Sequence, residues 1–106
     1  MRVKVNFLAT LRSLAGTNFV EVEAHKGLSI RDVIYLACKD NEALFKRIFD
    51  PERRIRGDII ILVDGIDVNL MGGLDSSADN INEIALIPSV HGGRCSWSPQ
   101  TKQKSC

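Results

Sequence analysis

Residues 84–93 read IALIPSVHGG. Ile84 and Leu86 alternate with Ala85 and Ile87, the two-residue period of a strand with one face turned inward. Pro88 brings no amide donor, so it ends that strand or confines it to a sheet edge. Val90 and His91 then lead into Gly92-Gly93, two residues without a Cβ, which keep the backbone slim and free in conformation. What stands before this stretch decides which sheet the strand completes.

Toward the N-terminus, Ile59–Val63 is a continuous apolar run, too short for a helix and rich in β-branched residues, which predicts a buried strand. Asp64-Gly65 signals a type I′ turn, with residues 66–68 as the short returning strand. Gly72-Gly73 and residues 75–80 read as turns. After Gly27 the period changes. Ile30, Val33, Ile34, Ala37 and Cys38 fall at helical spacing. Ser29 followed by Asp32 makes a capping box with Asp in the acidic position, opening a helix of about 11 residues. Asn41 opens a second short helical piece with Leu44, Phe45 and Ile48 apolar, stopped by Pro51. Residues 50–58 form a polar loop with Arg53, Arg54 and Arg56.

At the start, Val3, Val5 and Phe7 alternate with Arg2, Lys4 and Asn6. Val20, Val22 and Ala24 alternate with Glu21 and Glu23. These are two strands of a hairpin. Between them, residues 9–14 form one helical turn with Leu11 and Leu14 inward, stopped by Gly16. The order is strand, strand, helix, strand, short strand, strand. That is an α+β domain: a mixed sheet of four to five strands with one main helix packed across it, the β-grasp layout.

Composition bounds the function. The chain has 106 residues, room for one core. It is 44% hydrophobic and 25% charged, with net charge +1, so no basic excess points to nucleic acid or an anionic membrane surface. No apolar run approaches the ~20 residues of a membrane helix. Met1 and Arg2 lead straight into a strand pattern, unlike a signal peptide, so a cytoplasmic location is expected. Three cysteines are too few and too scattered for a disulfide framework. Cys38 belongs to the helical apolar pattern.

Residues 94–106, RCSWSPQTKQKSC, differ in kind. Trp97 is their one large apolar side chain, too little to offset ordering entropy, so disorder is expected. They carry Arg94, Lys102 and Lys104 and no acid; without them the 14 basic residues fall to 11 against 13 acidic ones. The chain therefore divides into 1–93, a domain ending in Gly-Gly, and 94–106, an extension expected to be disordered.

IALIPSVHGG resembles the C-terminal end of the MoaD/ThiS/ubiquitin-related modifier superfamily. FLATLRSLAG (7–16) and LVDGIDVNLMGGLDS (62–76) resemble molybdopterin synthase small subunits, and the likeness covers residues 1–93. The resemblance implies a sulfur carrier. A ubiquitin-activating-enzyme-like partner of the MoeB/ThiF type spends ATP to adenylate the terminal carboxylate, which then becomes a thiocarboxylate. In this chain the acyl carbon is that of Gly93, with Gly92 before it and Val90 and His91 as the neck of the arm. Implied partners are that activating enzyme and the molybdopterin synthase large subunit or another sulfur acceptor. No cofactor is expected on the chain itself, which is a protein co-substrate rather than an enzyme. Conjugation to lysines through Gly93, tRNA thiolation and thiamine synthesis remain alternatives. A His-Gly-Gly ending also occurs in the ubiquitin-related modifiers, and His91 leans toward that branch.

The chain departs from the family pattern in two places. Asn82-Glu83 stands where Gly-Asp usually precedes the last strand. Sulfur carriers usually end at the second glycine, whereas here the Gly93 carbonyl is bonded to Arg94 and cannot be adenylated as written. Three explanations stand: a precursor trimmed by a processing protease, an added or degenerate extension, or a β-grasp interaction module that has left the chemistry.

If Ile59, Ile61 and Val63 face the helix, Ile60 and Leu62 face out, and so does Ile87. On neighbouring strands these three make an exposed apolar patch suited to a partner, and in the family this sheet face meets the adenylating enzyme and the large subunit. The arginines at 53, 54 and 56 read as a solvated loop. His91, Cys95 and Cys106, with His25 or Cys38, lack zinc-site spacing. A Cys95–Cys106 disulfide is disfavoured in a reducing compartment. No catalytic triad, carboxylate pair or phosphate loop can be placed in one pocket.

Overall fold

The computed structural model of the chain describes residues 2–89. Val90, His91, Gly92, Gly93 and the 94–106 extension lie outside the described residues.

Alternation makes β1 (Arg2–Phe7) a strand whose Val3, Val5 and Phe7 are fully buried. It pairs antiparallel with β2 (Phe19–Glu23), Val3 opposite Val22 and Val5 opposite Val20. Between them runs α1 (Thr10–Ala15), closed by Gly16 at φ 75°, whose N–H donates to the Arg12 carbonyl. Leu11 is buried, but Leu14 is 38% exposed, against the expectation that both face inward. A helix of six residues sets one side chain over the core and leaves the other at its rim.

The capping box forms. Ser29 Oγ accepts the Asp32 N–H and the Asp32 carboxylate accepts the Ser29 N–H, both at 3.1 Å, opening α2 (Ile30–Cys38). Ile30, Val33, Ile34 and Cys38 are buried. The helix has nine residues rather than 11 because the chain turns at Lys39 into the next cap. Asn41 Oδ1 accepts the Leu44 N–H at 3.1 Å and starts α3 (Glu42–Ile48). Phe45 and Phe49 stack at 4.8 Å, with Tyr35 of α2 edge-on to both. Pro51 bars Asp50 from helical backbone, and α3 has ended by then. Asp50 Oδ1 accepts the N–H groups of Glu52 and Arg54 at 2.9 Å each, closing the loop on itself. The Arg54 amide, first among these donors, holds the Asp50 carboxyl below its ordinary value.

β3 (Ile59–Val63) and β4 (Ile66–Asp67) are joined by Asp64 at φ 50° and Gly65 at φ 86°, both positive as a type I′ turn needs. Val68, expected in β4, instead opens a 3₁₀ turn, Val68–Met71. Asp67 accepts the Asn69 N–H at 2.8 Å and caps that turn, which stops the strand. The Asp64 carboxylate accepts the Asn82 and Glu83 N–H groups, which launches β5 (Glu83–Pro88) beside the turn.

The sheet order is β2-β1-β5-β3-β4, with β5 parallel to β1 and antiparallel to β3. Ile84 and Leu86 of β5 are fully buried under the helices. Burying each such side chain stabilises by about 1.5–3 kcal/mol. This is a five-stranded β-grasp fold with its last strand at the centre. Of the two expectations for Pro88, it ends the strand, as its last residue, and does not place it at an edge, because β5 is central. Carbonyls of Asn82 and Leu86 accept from β1 and its extension, while Glu83 O and Ser89 N–H engage the β3 side. By that alternation Pro88's missing donor faces the Leu8 carbonyl, which already accepts the Leu11 N–H at 3.1 Å. Proline is tolerated because Pro88 is the last residue of β5 and lies past Phe7, where β1 ends, so the regular β1 ladder asks no donor of it. No helix among the described residues is long and apolar enough to cross a membrane.

Candidate functional site: the end of the central strand and the open sheet face

The buried residues of α1, α2 and α3 share one core with the inward row of the sheet, and the outward row of β3 and β5 side chains is left open. Ile60 lies directly opposite Ile87, and Leu62 opposite Ala85. Ile60 is 41% exposed; Leu62, Ala85 and Ile87 are half-buried. The fold thus brings together Ile60, Leu62 and Ile87, the three apolar residues singled out for that face.

Polar groups surround them. Asp67 stands opposite Leu62, and Asn6 opposite Ala85. The Asn6 amide hydrogen-bonds the Glu83 carboxylate. Lys4 Nζ lies 4.4 Å from the centre of the Phe19 ring, fixed there by cation–π attraction. A shallow depression of about 350 Å³ runs past Leu62 and Ala85 to Asn6 and Arg12. An apolar centre inside a polar rim is the anatomy of a protein–protein contact.

The strand that carries Ile87 ends at the same place. Pro88 is opposite Ile59, and Ser89 donates its N–H to the Asp58 carbonyl at 2.6 Å. Val90, His91, Gly92 and Gly93 follow Ser89 in sequence, outside the described residues. Asp58 was not legible as part of the site, because its place opposite Ser89 depends on strand register.

Other chemistry finds no footing here. Among the described residues no group of three or more His, Cys, Asp or Glu side chains is placed to hold a metal ion. Cys38 is buried in the core, and burial pushes its thiol from 9.0 up to about 12, far from a nucleophile's range. Arg54 is engaged by Glu52 and Asp50, and Arg56 donates to the Lys46 carbonyl. Arg54 thus serves the loop itself, and Arg56 ties the loop to α3.

Residues 2–93 match the Urm1 (Ubiquitin related modifier) family, and the match stops on Gly93. The chain belongs to the Urm1 family. Solved structures share its fold. SAMP1 from Haloferax volcanii superposes with a TM-score of 0.77 at 24% identity, over 88% of this chain and 100% of that one. Small archaeal modifier protein 1 (SAMP1) from Methanosarcina acetivorans is 31% identical, with a TM-score of 0.73 over 87% of this chain and 96% of that one. A putative molybdopterin converting factor, subunit 1, from Pyrococcus furiosus is 27% identical, with a TM-score of 0.63 over 85% of this chain and 99% of that one. No curated protein sequence matches the chain. This Urm1-family chain is therefore a ubiquitin-fold protein of the sulfur-carrier and modifier kind.

Proposed function

We propose that this chain is a sulfur carrier of the molybdopterin synthase small-subunit type that works through Gly93 after residues 94–106 are removed. Hydrolysis of the Gly93–Arg94 peptide bond frees the carboxylate. A partner of the ubiquitin-activating-enzyme type then joins that carboxylate to AMP from ATP, releasing pyrophosphate. A sulfur donor displaces AMP and leaves a thiocarboxylate on Gly93. The chain binds no cofactor of its own, acts in the cytoplasm and serves as co-substrate. Sulfur passes to an acceptor such as a molybdopterin synthase large subunit, a reading supported by the 27% identity to the Pyrococcus protein.

One observation carries this reading: the family match ends on Gly93, four residues past Ser89, where the central strand leaves the sheet. Four residues span at most about 14 Å of extended chain. Such an arm enters a partner's nucleotide site while Ile60, Leu62 and Ile87 dock beside it, with Val90 and His91 as its neck and Gly92 and Gly93 as its slim tip. A second reading, an isopeptide bond from Gly93 to lysines of target proteins, is favoured by the 31% identity to a small archaeal modifier protein.

Intact mass of the protein recovered from its own cells, with peptide mapping of the lysate, is the test. A species ending at Gly93 with one oxygen replaced by sulfur supports the carrier. Gly93 remnants on lysines support the modifier. Only full-length chain, with the activating partner present, overturns both.

A further inference from the structure

The place where β5 leaves the sheet is tied to α3 through a single residue. Asp58 stands one step beyond the Ile59–Pro88 pair, and its carbonyl accepts the Ser89 N–H at 2.6 Å. Its carboxylate meets Arg47 of α3 on both oxygens: Nη1 to Oδ1 at 3.2 Å and Nη2 to Oδ2 at 3.0 Å. A forked guanidinium–carboxylate contact fixes direction as well as distance. The two side chains are 30% and 37% exposed, so water competes less than at an open surface.

Neighbouring bonds stiffen the same block. Arg56 donates its backbone N–H to the Ile48 carbonyl at 2.8 Å and its Nε to the Lys46 carbonyl at 3.0 Å. These are carbonyls that the end of α3 leaves open. The Ile59 N–H then reaches the Arg56 carbonyl at 3.2 Å. Pro88 has no donor to add. The Ser89–Asp58 bond is thus the last backbone tie between β5 and the sheet among the described residues.

We infer that Asp58, oriented by Arg47, is a positioning residue for the C-terminal arm and sets the direction in which the chain leaves the sheet after Ser89. The consequence for activity rests on the sulfur-carrier reading above; the geometry does not. The four-residue arm reaches at most about 14 Å, so where its base points limits which positions its tip can sample. A misplacement of about 1 Å at a reacting centre can cost 10²-fold in rate.

Two measurements test it. The first is amide exchange by NMR on the full chain and its Arg47→Ala, Asp58→Asn and double variants. Ser89 is expected to exchange about two- to fivefold faster in each single variant, the range open to a part-exposed ion pair. The double variant is expected to match the singles, since both remove one contact. Ile61 and Leu86 are expected to keep their protection. Unchanged exchange at Ser89, or equal acceleration along all of β3 and β5, overturns the inference.

The second is ATP–pyrophosphate exchange by the activating partner on the chain processed to Gly93. Asp58→Asn is expected to lower kcat about tenfold with KM unchanged, because the docking face is intact while the tip is misdirected. A raised KM with unchanged kcat overturns the inference. If the unmutated processed chain supports no exchange at all, the carrier reading falls, and the Ser89 amide alone decides the role of Asp58.

Discussion

Ser29 and Cys38 stand at the two ends of α2 and respond to different perturbations. Ser29 caps two otherwise open donors together with Asp32, so Ser29→Ala is expected to cost about 1 kcal/mol, read as a lower urea midpoint at unchanged slope. Cys38 links the core to pH. Its thiol ionises near 9.0 when unfolded and at about 12 in the fold, because burial disfavours the thiolate. The folded state holds the proton more tightly, so this contribution is intact below pH 9 and is lost as pH rises toward 12. Cys38→Ala is expected to flatten the alkaline fall of the urea midpoint. An equally steep fall in that variant would show that other groups account for it. Both residues were legible in the sequence, since a cap and an apolar helical position are local patterns. Leu14 was not, because its exposure depends on how far a short helix reaches over the core.

Among the elements, β5 bears the most. It is flanked on both sides, and its inward side chains meet the helices. Leu86→Ala is expected to cost about 2–5 kcal/mol by opening a cavity at the centre of the fold. Pro88→Ala, two residues on, is expected to change stability by less than about 1 kcal/mol, because the donor it restores lies at the strand end, past the last residue of β1. Chemical unfolding of the pair distinguishes a packing residue from a ladder residue in the same strand. A large loss at Pro88→Ala would place its φ restraint, rather than register, at the root of the tolerance. The short β4 teaches the reverse lesson: the apolar Val68 extends the strand pattern on paper, yet a cap at Asp67 turns the chain first.

For the molecule as a whole, the division of labour is between two sheet faces. The covered face holds the core, and the open face gathers Ile60, Leu62 and Ile87 inside a polar rim beside the strand's exit. Ile60→Asp, at a residue 41% exposed, is expected to leave stability within about 1 kcal/mol of the parent. In ATP–pyrophosphate exchange with the activating partner, it is expected to raise KM at least about tenfold while kcat holds, as loss of a central contact does. A normal KM would remove the open face from the docking surface without touching the role of Gly93.

The sequence by itself determined the elements and their inner faces: the alternation in β1, β2 and β5, the capping box at Ser29, the type I′ turn at Asp64-Gly65. Each of these rests on interactions between residues a few positions apart, which a linear pattern records. The likeness to the β-grasp layout already set β5 beside β3; only the tertiary structure decided that β5 also pairs with β1, that Pro88 ends a central strand, and that Asp58 joins Arg47 to Ser89. Those facts depend on register between segments far apart in sequence, and register is set when the core packs.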